Sequence, residues 1–202
     1  MGKHMQLSAS ETIKLGLITG KDGELLRHEH YVGKSSVDLS VGEIIHKDEK
    51  GSSVVVEDYE ILPQETVYLL SEQFINVKPG YVAYVFLKNR LSQGGLLALN
   101  TGIIDSGFND PLSTLVTNFS KKNIEINSDE KTYFFRVVFH KISLGEYETL
   151  ADFESKEYSY DIYKKYRKQD LRALPRFFLD PDSIKNKIND ELSDKAIGIY
   201  TM

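Results

Sequence analysis

The chain contains no cysteine among its 202 residues. This absence excludes disulfide bonds, thiolate catalysis and cysteine-ligated zinc or iron–sulfur sites. No apolar run approaches the roughly 18 to 20 residues that span a bilayer, and no succession of charged, apolar and small residues marks a signal peptide. We therefore expect a protein of the reducing cytoplasm that has no membrane partner.

The chain has fewer basic residues than acidic residues. The 25 lysine and arginine residues stand against 30 aspartate and glutamate residues, which gives a formal net charge of −5. Such a chain is not built to neutralise the phosphates of a nucleic acid, so we expect no nucleic-acid partner. Any phosphate group that binds must be held by a local cluster of cations. The hydrophobic fraction of 41% is nevertheless that of a globular protein with a packed core.

The length accommodates one well-filled domain with an appendage. Residues 1–5 have the character of an expression-vector remnant with the natural start at Met5. Residues 6–144 are predicted to form a β domain, because short apolar stretches alternate there with turn residues in the manner of a sandwich or barrel. Residues 145–202 are predicted to form a tyrosine-rich helical extension. The predicted strands are 36–41, 53–58, 66–70, 80–87, 95–99, 112–118, 123–126 and 133–142.

Three helices are predicted outside these strands. The first lies near the start of the chain, where Ser8 or Ser10 can cap it. The second covers 158–174 and ends before Pro175, and the third begins at Asp180. In the last two helices apolar residues recur at helical spacing, at 158, 162 and 166 and at 184, 188 and 192. Two interpretations fit the extension: both helices pack onto the β core, or the extension binds a protein partner or bridges subunits.

A basic turn follows the strand predicted at 80–87. It consists of Lys88, Asn89 and Arg90, and a glycine pair comes four residues later. Donors of this kind suit phosphate and hydroxyl ligands, and glycines permit close backbone approach. Downstream, Asp105 ends a short apolar run. Taken alone, these charges are better explained as solvated turn residues than as a binding site.

These segments resemble the superfamily of trimeric deoxyuridine triphosphatases and deoxycytidine triphosphate deaminases. The resemblance covers roughly residues 34–142, within which five segments keep the order of that superfamily. It implies a mainly β fold, a distorted barrel or jelly-roll-like domain with a helical C-terminal extension here. It also implies a homotrimer with three nucleotide sites between subunits. The five segments are 36–40, 88–90, 102–108, 117–118 and 135–139.

The resemblance assigns roles to individual residues. Lys88, Asn89 and Arg90 are implied to hold the phosphates of a pyrimidine deoxynucleotide. Asp105 is implied to activate water against the α-phosphate. Phe108 is implied to pack against C2′ of the sugar and to reject a 2′-hydroxyl. The implied cofactor is Mg²⁺, which the substrate phosphates gather without a protein metal cage.

The chain also departs from the superfamily. Leu115 stands where the deaminases have a glutamate that acts as general base, and an apolar side chain cannot move protons. Gln93 stands where the deaminases have arginine, although it remains a candidate substrate contact. Arg136 replaces a glutamine of the triphosphatases and is either a phosphate clamp or a structural charge.

Two functions remain open at this point. The first is binding of a pyrimidine deoxynucleotide with hydrolysis of its triphosphate to monophosphate and pyrophosphate. The alternative is a catalytically degenerate member that senses a nucleotide or binds a protein through its extension. The retained Asp105 favours the first. The missing glutamate and the absence of a glycine-rich closing arm carrying arginine and phenylalanine favour the second.

In the absence of cysteine, histidine side chains are candidate zinc ligands. His28, Glu29 and His30 lie together, and His46 follows at some distance. One alternating pair without a third placed ligand does not make a metal site. We therefore predict no metal site in the protein itself.

Overall fold

The structure is a computed structural model that describes residues 5–99, 102–127, 131–143, 145, 149, 160–179, 184–186 and 188–189. Strands dominate these residues, as the sequence predicts. The strands are β1 Met5–Gln6, β2 Ile18–Thr19, β3 Val37–Lys47, β4 Ser53–Val56, β5 Tyr59–Ile61, β6 Thr66–Asn76, β7 Tyr81–Leu87, β8 Leu96–Ala98, β9 Ile103–Ile104, β10 Asn109–Asn118, β11 Ile124–Ile126 and β12 Tyr133–Lys141. The helices are α1 Ala9–Lys14, α2 Asn89–Gln93 and α3 Tyr160–Arg172, with 3₁₀ turns at Lys21–Gly23 and His28–Tyr31.

Ten of the strands form one curled antiparallel sheet. Its main path runs β8-β10-β6-β3-β12-β7-β9, while β1 pairs with β12, β2 with β6 and β4 with β3. The other two strands, β5 and β11, pair with each other. All eight predicted strands are present, and the mainly β fold is confirmed. The four strands that were not predicted are only two or three residues long.

The sheet bends where β3 crosses from one set of partners to another. Residues 37–40 of β3 pair with β12, whereas residues 41–45 pair with β6, and the register shifts between Val41 and Glu43. A Cβ atom on Gly42 would lie 2.7 Å from Cα of Glu72 on β6. Only glycine permits so close a crossing. The bulge also interrupts the alternation, so the sequence pattern stops at residue 41 although the strand continues to Lys47.

The inner face of the curled sheet holds the main hydrophobic core. Alternate residues of the strands point into it, among them Leu39, Leu69 and Phe139, which are fully buried. Helix α1 closes one end by burying Ala9, Thr12 and Ile13. Ser8 caps this helix, because its hydroxyl accepts a hydrogen bond from the backbone N–H of Glu11.

Helix α3 covers the outer face of the sheet over β3, β4 and β6. Leu171 is fully buried there, in a second hydrophobic cluster with Ile45, Tyr68, Leu70 and Leu115. For this helix, the interpretation that the extension packs onto the β core is therefore correct. Its boundaries agree with the predicted ones to within two residues at each end.

The face that α3 buries differs from the predicted one. Ile162 and Tyr166 are exposed, at 41% and 49%, whereas Leu171 is buried and Tyr163 is partly buried. The prediction was wrong because α3 carries a second stripe at helical spacing, formed by Tyr160, Tyr163, Arg167 and Leu171, and spacing alone does not show which stripe meets the sheet. The guanidinium of Arg167 lies 5.7 Å from the centre of the Tyr68 ring, so a charged side chain also covers part of this surface.

Charged groups anchor α3 and the segment after it. Lys47 donates hydrogen bonds to the carbonyl groups of Arg172 and Leu174, which the end of the helix leaves without intrahelical partners. The fully buried carboxylate of Glu65 accepts a hydrogen bond from Nε of Arg176 at 2.9 Å and another from the hydroxyl of Tyr59 at 2.8 Å. Residues 160–178 are thus held against the sheet.

The third predicted helix lies largely outside the described residues. Residues 184–186 and 188–189 are helical, and Ile184 and Ile188 are 42% and 52% exposed. Leu192 and Asp180 are not among the described residues. Within the part of the chain that the structure describes, no helix has the length and apolar character needed to cross a membrane.

The cluster under α3 leads to a first prediction. Leu171→Ala removes a fully buried side chain, so it should lower the free energy of unfolding by about 2 to 5 kcal/mol. Tyr166→Ala on the exposed side of the same helix is the matched control and should have a much smaller effect. The measurement is urea denaturation followed by far-UV circular dichroism. An unchanged midpoint for Leu171→Ala would show that α3 does not unfold with the sheet.

A second prediction concerns Asp110, a buried carboxyl at the start of β10. Burial raises its pKa to about 6. An aspartate in an unfolded chain has a pKa of about 3.9, so the folded state binds this proton more tightly. The stabilisation from the proton is present at low pH and is lost as the pH rises through 6.

Asp110→Asn should therefore stabilise the fold at pH 7.5 and have little effect at about pH 4, where the native carboxyl is protonated. Denaturant unfolding at both pH values measures the difference between variant and parent. Asp105→Asn, which changes an exposed carboxyl nearby, is the control for a change in net charge. An equal effect of Asp110→Asn at both pH values would contradict the assignment of this titration to Asp110.

Candidate functional site

The basic turn of the sequence forms the short helix α2 after strand β7. Lys88 precedes the helix, and Asn89, Arg90 and Gln93 lie on its exposed surface. Gly95 ends the turn with φ +96°, and a Cβ atom there would lie 2.7 Å from Cβ of Ser120. The close approach that glycine permits here is thus made to a neighbouring loop, and it fixes where β8 begins.

Two of the predicted site residues meet at a third residue, Asp38. Arg136 on β12 lies opposite Asp38 on β3, and its Nε donates a hydrogen bond to Oδ1 at 2.9 Å. Its second contact, from Nη2 to Oδ2, is 3.3 Å long. The ammonium group of Lys88 also donates to Oδ2. One carboxylate is therefore held between two cations.

This arrangement determines the charge of Asp38. Partial burial by itself would raise the pKa of the carboxyl, but the hydrogen bonds from Arg136 and Lys88 and their positive charges outweigh burial. The pKa of Asp38 consequently lies below its ordinary value, and the group is ionised at neutral pH. The three side chains together carry one net positive charge.

A broad groove, which we call the cationic groove, surrounds this cluster. It has a volume of about 750 Å³. Lys34, Lys88 and Arg136 line it against the single carboxylate of Asp38, and the Tyr133 ring lies between it and an adjoining depression. Arg90 and Lys131 line that depression with Glu125. On a chain of net charge −5, this is a local concentration of positive charge.

Several residues that line the cationic groove were not predicted from the sequence. Asp38 belongs to the segment 36–40 that carried the resemblance, but it received no role of its own. No feature of the sequence distinguished Lys34 and Tyr133 as site residues. For Asp38 a signal existed, because strand alternation places it on the face opposite Val37 and Leu39, away from the core.

The second group of predicted residues lies in a turn between β9 and β10. Asp105 is exposed there, and Ser106 anchors the turn by donating a hydrogen bond to the carbonyl of Tyr81 at 2.5 Å. Gly107 has φ +94°, and its N–H donates to the carbonyl of Val77 at 2.6 Å. Phe108 is half-buried against the main core. We call residues 105–108 the carboxylate turn.

Within one chain, the carboxylate turn and the cationic groove are far apart. Ile104 lies opposite Ala83 on β7, and the antiparallel direction carries Asp105 away from the end of β7. Lys88 lies five residues beyond Ala83, a distance of roughly 16 Å along an extended strand. A single chain therefore does not bring Asp105 and Phe108 to the cations.

Leu115, where the deaminases have a glutamate, lies beneath α3. It is 8% exposed and packs in the same cluster as Leu171. A carboxylate at this position would be desolvated by its apolar neighbours. Replacement by leucine and coverage by α3 are thus consistent with each other.

The histidines do not converge. His28 and His30 lie in a 3₁₀ turn, whereas His46 on β3 stacks on the ring of Tyr59 with a centroid distance of 3.9 Å. Among the described residues, no group of three or more His, Cys, Asp or Glu side chains could hold a metal ion. Both oxygens of Asp38 already accept hydrogen bonds from cations, so this carboxylate does not offer a free metal ligand.

Comparison with known proteins supports the resemblance. Over 112 residues, the chain is 28% identical to a probable deoxyuridine 5′-triphosphate nucleotidohydrolase of Sulfolobus islandicus rod-shaped virus 1, which corresponds to 55% of this chain and 68% of the viral protein. A 2′-deoxycytidine 5′-triphosphate deaminase from Agrobacterium tumefaciens shares the fold with a TM-score of 0.55 at 11% identity. That likeness covers 72% of this chain and 51% of the deaminase, so the chain spans about half of that protein.

A dUTPase from Streptococcus mutans is a further structural relative, with 17% identity and a TM-score of 0.41 over 57% of this chain and 84% of that enzyme. The comparison with protein families matches residues 53–163 to the dUTPase family. This match covers more than half of the chain and contains the α2 turn, the carboxylate turn and Arg136. The chain therefore belongs to the dUTPase family.

Proposed function

We propose that this protein binds a pyrimidine deoxynucleoside triphosphate between the subunits of a homotrimer and hydrolyses it to the monophosphate and pyrophosphate. The observation that carries the proposal is the cationic groove, because it concentrates positive charge locally on an acidic chain. The family assignment supports nucleotide chemistry of the hydrolase or deaminase type. Leu115, which is apolar and buried, favours hydrolysis over deamination.

In this proposal the groove receives the phosphates. Lys88, Asn89 and Arg90 contact them, and Gln93 is positioned one helical turn further on. Arg136 uses Nε and Nη2 for Asp38, while its half-exposed guanidinium keeps further N–H donors that can reach an anion. Asp38 fixes the orientation of Lys88 and Arg136 before substrate arrives, which lowers the cost of ordering them on binding.

The carboxylate turn of a neighbouring subunit completes the site. Asp105 orients a water molecule toward the α-phosphorus and accepts its proton as the new P–O bond forms. The bond from the α-phosphorus to the bridging oxygen breaks, and pyrophosphate leaves. Phe108 lies at the sugar. Mg²⁺ bound by the triphosphate would supply neutralisation of phosphate charge, and the Asp38 carboxylate, whose two oxygens already accept hydrogen bonds from cations, would not hold it.

Exposed apolar side chains on one face of the described sheet support the proposed homotrimer. On the outer side of β7, β9 and β12, Phe86 is 54% exposed and Ile103 is 63% exposed. Tyr84 lies opposite Ile103 on this face, and Phe86 lies opposite Arg136. The apolar face is therefore continuous with the cationic groove. A second copy packed there would bring its carboxylate turn toward the groove of the first.

The central test is turnover of a panel of deoxynucleoside triphosphates, with pyrophosphate and ammonia both measured. We expect pyrophosphate release without ammonia, and a decrease of kcat by about 10² to 10⁴ in Asp105→Asn. Glu60→Gln, which changes an exposed carboxylate on β5, is the control and should retain activity. Pyrophosphate release that persists in Asp105→Asn would rule out the role of Asp105. Nucleotide binding without any turnover would support the catalytically degenerate alternative.

The shared site has a test of its own. Phe86→Glu places a charge in the apolar face, so light scattering should report a smaller species than the parent trimer. Leu25→Glu, at another exposed apolar side chain, is the matched control and should leave the mass unchanged. Mixing inactive Asp105→Asn with inactive Arg90→Ala should restore activity through mixed trimers. A monomeric parent protein, or no restoration in mixtures shown to exchange subunits, would exclude sites between subunits.

A further inference from the structure

Tyr163 on helix α3 contacts the carboxylate turn. The rings of Tyr163 and Phe108 meet edge to face, with centroids 6.4 Å apart and planes at 80°. This is within the range of favourable aromatic pairs. The hydroxyl of Tyr163 forms a hydrogen bond with the hydroxyl of Ser113 on β10 at 2.6 Å. Tyr163 is thus held at its polar end while its ring borders Phe108.

The position of Tyr163 is further fixed from both sides along the helix. One turn before it, the hydroxyl of Tyr160 donates a hydrogen bond to Glu43 at 2.8 Å. One turn after it, the guanidinium of Arg167 lies 5.3 Å from the centre of the Tyr163 ring. Lys47 binds the carbonyl groups at the end of α3. The helix is therefore a fixed support for the Tyr163 ring.

Phe108 needs such a support. Its backbone is held because its carbonyl accepts a hydrogen bond from the N–H of Val77 at 2.8 Å. This bond does not fix the rotation of the side chain, which is only half-buried. The main core lies against one part of the ring, and Tyr163 lies at another. Without Tyr163, more rotamers of Phe108 become available.

We propose that Tyr163 is a positioning residue that holds the ring of Phe108 in the orientation that excludes a ribose 2′-hydroxyl. This inference rests on the proposed function, because it presupposes a nucleotide sugar at Phe108. It gives the C-terminal helix a role in substrate selection: α3 acts as a permanent brace behind the sugar position. The ligand class concerned is a nucleoside triphosphate with a 2′-deoxy sugar.

The first test compares the 2′-deoxy and ribo forms of the nucleotide that the parent protein binds best, using isothermal titration calorimetry. Tyr163→Leu should lower the ratio of deoxy to ribo affinity about three- to tenfold. Tyr163→Phe keeps the ring and should restore the parent ratio to within about twofold. Tyr166→Leu is the matched control, since it removes a ring from the exposed side of the same helix.

An unchanged ratio in Tyr163→Leu overturns the proposal. An equal loss in Tyr166→Leu also overturns it, because the effect would then come from general loosening of α3. If the parent protein binds no deoxynucleotide, the proposed function fails, and the role in sugar selection fails with it.

A second measurement tests whether Tyr163 holds the ring of Phe108 when no nucleotide is bound. The protein is labelled with 4-fluorophenylalanine, and Phe108→Leu identifies the ¹⁹F resonance of residue 108. Tyr163→Leu should shift or broaden this resonance in the absence of nucleotide, and Tyr166→Leu should not. A resonance that is unaffected by Tyr163→Leu shows that Tyr163 does not hold the ring, whatever the protein binds.

Discussion

The bend of β3 at Gly42 is the constraint on which the rest of the structure depends. Before the bend, β3 pairs with β12 and brings Asp38 opposite Arg136. After the bend, it pairs with β6 and presents Ile45 and Lys47 to helix α3. One strand therefore carries both the cationic groove and the docking surface of the C-terminal helix. The close approach of Gly42 to Glu72 leaves no room for a side chain.

Positive charge is concentrated in the cationic groove of this protein. The chain is acidic as a whole, yet the cationic groove collects Lys34, Lys88 and Arg136 around one carboxylate. Asp38 orients two of these cations and leaves the cluster positive. A preorganised group of this kind costs less to order when an anion binds than free lysine and arginine side chains do. Its occurrence on a dUTPase-family scaffold favours triphosphate binding over binding of a polynucleotide, which needs a longer basic surface.

The C-terminal segment differs from a flexible closing arm over the residues that the structure describes. Contacts from Glu43, Lys47 and Glu65 hold 160–178 to the sheet. The same helix buries Leu115, where a deaminase would need a carboxylate. An apolar side chain at residue 115 and a helix packed over it are therefore physically compatible. A fixed helix cannot open and close over the phosphates, but it can hold a neighbouring ring in place.

The sequence by itself determined the mainly β fold, eight of the twelve described strands and helices α1 and α3, because alternation, turn residues and caps are local signals. It also pointed to the basic turn and the carboxylate turn through segments that keep the order of a known family. It did not indicate that Asp38 pairs with Arg136, 98 residues away, or that Glu65 pairs with Arg176, 111 residues away.

Only the tertiary structure decided these pairings, the buried face of α3 and the separation of Asp105 from Lys88. The Asp38–Arg136 pair depends on the register of β3 with β12, and the separation of Asp105 from Lys88 depends on the pairing of β7 with β9. The Glu65–Arg176 pair and the buried face of α3 depend on how the helix packs on the sheet. None of these is visible in local composition. A shift by one residue would place Asp38 on the core side of its strand. The physical reason is that side-chain chemistry is encoded residue by residue, whereas proximity arises only when distant strands pair.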